Sequence, residues 1–75
     1  MSRQEIFDAI NKDRELTLMY VGAGHNHIWQ ASLAHVFGTV LRSLALGDTD
    51  GFRQSLISLA ALAVGWLEML DDLDV

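Results

Sequence analysis

The stretch Phe52–Leu70, FRQSLISLAALAVGWLEML, decides how this chain reads. From Leu56 to Leu67 it carries no charge, and at about 100° per residue its apolar side chains occupy the whole circumference of a helix. No turn of that helix shows water a polar face, so it must be surrounded. Leu56, Ile57, Leu59, Ala60, Ala63, Leu67 and Leu70 form its bulky side. Ser58, Ala61 and Gly65, with Leu62 and Met69 beside them, form the other, where small residues let a second helix approach closely. That second side is expected to meet a symmetry mate, in an isologous dimer or a larger bundle.

Outward from this helix, Gly47 is placed to stop the preceding one, and Asp48-Thr49-Asp50-Gly51 offers turn chemistry with Thr49 or Asp50 as the cap. So short a linkage predicts an antiparallel hairpin with a helix from about Ile28 to Leu46. On a wheel, Trp29, Leu33, Val36, Phe37, Val40, Leu41 and Leu44 make one broad face of that helix, with Ser32, His35, Thr39, Arg42 and Ser43 on the other. Further back, Ser2 and Glu5 stand in capping-box spacing before Ile6, Phe7 and Ile10. A first helix should therefore start there, run to about Leu18 or Tyr20, and end at Gly22-Ala23-Gly24. Asn26 or His27 is the expected cap of the second. The prediction is a single all-α domain over residues 1–75, three helices that complete a bundle by homo-oligomerisation.

Composition points the same way. A chain of 75 residues buries only about 60% of its unfolded surface, yet 51% of this one is hydrophobic. Without Cys no disulfide can add stability, and association is the remaining route. The last helix is interrupted by Arg53 and Glu68, which argues against a membrane span of about 20 apolar residues. Acid at Glu5 and the lack of an apolar run near the N-terminus argue against a signal peptide, so a cytoplasmic setting is expected. A net charge of −5, with five Lys plus Arg scattered along the chain, argues against nucleic acid as a partner. Asp71, Asp72 and Asp74 read as a solvating end or as an acidic patch for a basic partner.

The order Asp13-Arg14, Gly22, His25-Asn26-His27, Trp29, Leu33-Ala34, Gly38, then Leu59-Ala60-Ala61-Leu62-Ala63-Val64-Gly65-Trp66-Leu67-Glu68 resembles the MazG-like all-α nucleoside triphosphate pyrophosphohydrolases, in particular their short bacterial and phage branch. The resemblance implies hydrolysis of a (deoxy)nucleoside triphosphate with Mg²⁺ held by an E-x-x-E pair on one helix and an E-x-x-D pair on the next. Those pairs fall on Val36 and Thr39, with His35 just before, and on Ser55 and Ser58. None is a carboxylate, and an ion–carboxylate attraction is worth on the order of 4 kcal/mol at 4 Å and an effective dielectric of 20. No slip of register supplies one, since neither Ile28–Leu46 nor Phe52–Leu67 contains Asp or Glu. The implied protein is a catalytically degenerate relative without a cofactor, an oligomeric module for a nucleotide or a protein partner. Arg14, His25, His27, Trp29 and His35 are its candidate ligand-binding residues.

Two alternatives stay open. An active enzyme would draw Mg²⁺ ligands from Asp48, Asp50, Glu68 or Asp71, or from another subunit, and an acidic accessory or inhibitor protein would engage a basic partner. The three histidines are short of a zinc site, which normally takes four protein ligands and here has no Cys.

Overall fold

The computed structural model describes residues 1–21 and 26–73, with side chains placed at 1–17 and 28–71. Three helices follow in order, α1 (Arg3–Val21), α2 (Asn26–Leu46) and α3 (Thr49–Leu73), and no strand occurs among the described residues. The all-α reading holds. α1 and α2 each pack along α3 and scarcely touch one another, so α3 is the spine of the chain. α1 is tied to α3 at two places, where Asp13 meets Ser58 and where Arg14 meets Glu68. α2 runs antiparallel, turned back through Gly47 and Asp48 alone.

Local chemistry sets the helix ends. At α1 the Ser2 hydroxyl accepts from the Glu5 amide at 3.1 Å while the Glu5 carboxylate accepts from the Ser2 amide at 3.3 Å, the reciprocal capping box that the spacing predicts. At the end of α2, Gly47 adopts a left-handed φ of 69°, its amide donates to Leu44 and the Asp48 amide donates to Ser43, the paired bonds of a Schellman stop. The cap of α3 differs from the expectation. It is Asp48, whose carboxylate accepts from the Gly51 amide at 3.0 Å, rather than Thr49 or Asp50. Asp48 closes one helix with its amide and opens the next with its side chain, which is why two residues suffice for the turn. α2 starts at Asn26, two residues before the expected boundary, and the side chains of Asn26 and His27 proposed as its cap lie outside those described, as does Gly22–Gly24.

Packing reverses the expected roles of the two sides of α3. The small-residue side is the inner one: Ala61 is 0% exposed, Leu62, Gly65 and Met69 are buried and Ser58 half-buried, all covered by α1 and α2 of the same chain. The symmetry-mate interface expected at Ser58, Ala61, Leu62, Gly65 and Met69 is therefore corrected to an intramolecular seam. Its cause is Trp29, the largest fully buried side chain. Its indole stacks on Trp66 with centroids 6.0 Å apart, and a Cβ placed on Gly65 would lie 3.3 Å from its ring. So large a ring can lie flat against a helix only where that helix has little side chain. The bulky side points outward instead, with Leu67 61% exposed and Leu56 and Leu70 exposed as well.

The broad face of α2 likewise divides. Trp29 and Val40 are buried and Val36 packs beside them, while Leu33, Phe37, Leu41 and Leu44 remain exposed. With Cα extents of 42 × 27 × 17 Å, the chain is too thin to enclose all its apolar positions.

Candidate functional site

The three helices leave a cleft with two adjoining lobes, the first bordered by all three and the second by α2 and α3. The first, about 530 Å³, has Asp13, Leu16 and Thr17 of α1 on one wall, Ala31, Ser32, His35 and Val36 of α2 on the other, and Ser58 and Leu62 of α3 as its floor. The second, about 520 Å³, shares His35, Val36 and Ser58 and continues along α2 and α3 through Thr39, Ser43, Gln54, Ser55 and Asp48. The four positions where the resemblance would place metal-binding carboxylates, Val36, Thr39, Ser55 and Ser58, thus line one cavity. A spacing of three on each of two facing helices brings them there.

Their chemistry does not fit Mg²⁺. The cation takes oxygen ligands in near-octahedral order and draws on carboxylates to offset its charge, and these four residues offer a valine and three hydroxyls. Among the described residues no three His, Cys, Asp or Glu side chains converge on a common point. The relocated set fares no better within one chain. Asp48 is occupied as a helix cap, Glu68 is held by Arg14, and Asp50 and Asp71 stand 21 positions apart on α3, about 30 Å at 1.5 Å per residue.

Four of the hydroxyl protons in the cleft are already committed. Ser58 donates to Asp13 Oδ2 at 2.7 Å. Ser55 donates to the Gly51 and Phe52 carbonyls at 2.8 and 3.0 Å, Thr39 to the His35 carbonyl at 3.1 Å, and Thr17 to the Asp13 carbonyl at 3.0 Å. What these groups turn toward the cleft is acceptor capacity, the remaining lone pairs of their oxygens and the second oxygen of Asp13. No Lys or Arg lines either lobe; Lys12 belongs to a separate groove with Ala9 and Gln54. The cleft thus joins these acceptors and the apolar Leu16, Val36 and Leu62 to the polar side chains of Ser32, His35, Ser43 and Gln54.

Of the other sequence candidates, His35 lies on the cleft wall with an exposed side chain. Trp29 of α2 and Arg14 of α1 pack against the later part of α3, where the Trp29 ring and the Arg14 side chain both approach Gly65. Arg14 Nη1 donates to both oxygens of Glu68 at 2.7 and 2.8 Å, a structural ion pair that spends the cation the ligand reading required. Arg14 Nε and Trp29 Nε1 are buried without a hydrogen-bond partner. The side chains of His25 and His27 lie outside those described. Asp13 is the cleft residue the sequence reading passed over. It was visible there only as half of Asp13-Arg14, although it falls on the same side of α1 as Ile6, Ile10 and Thr17.

No family model matches the sequence, no curated protein matches it, and no solved structure matches the fold.

Proposed function

We propose that this protein is a non-catalytic helical binding module, a degenerate counterpart of the MazG-like hydrolases it resembles, whose cleft takes a small neutral or cationic ligand rich in N–H and O–H donors. The observation that carries the reading is the donor–acceptor balance of the cleft. The hydroxyl hydrogens of Thr17, Thr39, Ser55 and Ser58 are consumed inside the protein, its carboxylates belong to Asp13 and Asp48, and no Lys or Arg lines it.

A triphosphate carries several negative charges and only acceptors on its phosphates. In this cleft it would face two carboxylates with neither a cation nor a metal to offset them. The base and sugar of a nucleoside, by contrast, bring amino and hydroxyl donors, and an organic ammonium brings a charge that Asp13 attracts. Burial against Leu16, Val36 and Leu62 adds apolar contact to either.

The test is thermal unfolding against a panel of nucleosides, nucleoside triphosphates with and without Mg²⁺, and small primary amines, alongside an assay for pyrophosphate release. A ligand of the native state raises the melting temperature by linkage. The expected result is a rise with nucleosides or amines, independent of Mg²⁺ and lost in Asp13→Ala, with no pyrophosphate above the blank. A rise confined to triphosphates with Mg²⁺, Mg²⁺-dependent hydrolysis, or no rise with any compound would contradict it.

A further inference from the structure

We infer that the cleft holds a linear aliphatic diamine end to end, one ammonium on Asp13 and the other on Asp48, with the methylene chain laid over Val36. Such a ligand is one of the cations already proposed for this cleft, and its recognition presupposes that reading. The two carboxylates stand at opposite ends. Asp13 lines the first lobe and accepts from Ser58 through Oδ2, while Asp48 lines the second and accepts from the Gly51 amide through Oδ1. Gly51 and Ser58 are seven positions apart on α3, nearly two full turns, so the attachment points share one face of the helix about 10 Å apart along its axis. Each carboxylate keeps its other oxygen out of these bonds, and an ammonium seats about 2.8 Å from such an oxygen. Two ammonium groups on one chain, somewhat less than about 10 Å apart, can therefore meet both carboxylates at once. No Lys or Arg lines either lobe to compete with them.

Between the ends the cleft suits a hydrocarbon chain. Val36 lines both lobes where they join, and Leu16 and Leu62 lie beside it in the first. At the Asp48 end, Ser43 is only 8% exposed and its hydroxyl has no hydrogen-bond partner among the described residues, whereas Thr39 and Ser55 in the same lobe are satisfied. A polar group so nearly buried costs stability until something completes its bonding. An ammonium carries three donors and can use the Ser43 oxygen together with Asp48. A monoamine reaches one end of the cleft at a time. Joining two ammonium groups makes the second contact intramolecular, and that gain is lost when the linker is too short to span the sites.

The experiment is calorimetric titration of the full chain at low salt with hexamethylenediamine, hexylamine and ethylenediamine, for the natural sequence and for Asp13→Asn, Asp48→Asn and Asp71→Asn. Asparagine keeps an acceptor oxygen for the Ser58 hydroxyl or the Gly51 amide, so the charge is removed and the fold retained. Asp71 is exposed and lines neither lobe, so its substitution reports any general effect of the net charge of −5. Expected is one hexamethylenediamine per chain, bound at least about tenfold tighter than hexylamine or ethylenediamine. Asp13→Asn and Asp48→Asn should each lower that affinity to the level of hexylamine, and Asp71→Asn should leave it unchanged. If a variant fails to fold, the rise in melting temperature of the natural sequence with each amine at equal concentration gives the same order. Hexylamine binding as tightly as hexamethylenediamine would overturn the two-ended site while leaving an amine in the cleft. An equal loss in Asp71→Asn would reduce the binding to general attraction and overturn it as well. A response to nucleosides with no amine bound would overturn it but spare the binding module, and no response to any of these compounds would remove both.

Discussion

Substituting Gly65 tests the packing of α3 most severely. An ideal Cβ at this position would stand 3.3 Å from Trp29 Cη2, 3.5 Å from Cζ3 and 3.9 Å from Arg14 Cγ. In Gly65→Ala, helix propensity returns about 1 kcal/mol, and a contact a few tenths of an ångström too close against a fully buried, stacked indole costs a similar amount. The net change should fall within about 1 kcal/mol of zero. Gly65→Leu keeps most of the propensity gain but forces three further carbons into the same seam. Overpacking typically costs about 1–3 kcal/mol and occasionally more, and here Trp29 is 0% exposed with nowhere to move. A net loss of about 2 kcal/mol is expected, a fall in melting temperature of roughly 10–15 °C for a domain of this size. Trp29→Phe removes the very ring atoms in contact, together with the unpartnered indole N–H. Combined with Gly65→Leu it should therefore recover at least 1 kcal/mol relative to additivity. Urea unfolding followed by circular dichroism gives all four corners of the cycle. If Gly65→Leu is as stable as the natural sequence, or the two substitutions simply add, the small side of α3 does not face Trp29 and the packing argument fails.

The remaining predictions concern the turn, the ion pair and the cleft. Gly47→Ala places a side chain at a φ of 69° and should cost about 1 kcal/mol, and Asp48→Ala, by deleting the α3 cap, about 1 kcal/mol more; urea midpoints measure both. Arg14 and Glu68 should couple by about 0.5–1 kcal/mol in a double-mutant cycle, partly screened at 1 M salt because both groups are partly exposed. Ser58→Ala should leave stability within about 1 kcal/mol while changing the ligand response of the cleft, since it frees Asp13 Oδ2; thermal shifts with amines read the difference.

How far the sequence revealed this structure depends on how local each feature is. The Ser2–Glu5 box and the Gly47 stop were legible because each is decided within four or five residues. The α3 cap was misplaced for a local reason too: Asp48 satisfies two helix ends at once, and a reading that assigns each residue one task chooses its neighbours. The sides of α3 could not be settled from its own pattern. Both sides are apolar, and which one turns inward depends on the bulk of Trp29 some 36 positions earlier, a tertiary fact that a helical wheel does not contain. Val36, Thr39, Ser55 and Ser58 were marked only by the resemblance, and that they line one cavity is a fact of the fold. Asp13 was not legible as a cleft residue, because its role follows from the contact of α1 with Ser58 of α3. Arg14 looked like a cation available to a ligand, and only the fold shows Glu68 holding it.

The central claim is that α3 turns its small residues inward, against α1 and α2, and its bulky ones outward. Because the sequence contains no Cys, single thiols report on both sides directly. Alkylation rates of Ala61→Cys and Leu67→Cys, each measured across a hundredfold dilution, are the most direct test. Ala61→Cys should be protected at every concentration and Leu67→Cys should react much the faster. Ala61→Cys reacting as fast as Leu67→Cys would contradict the account.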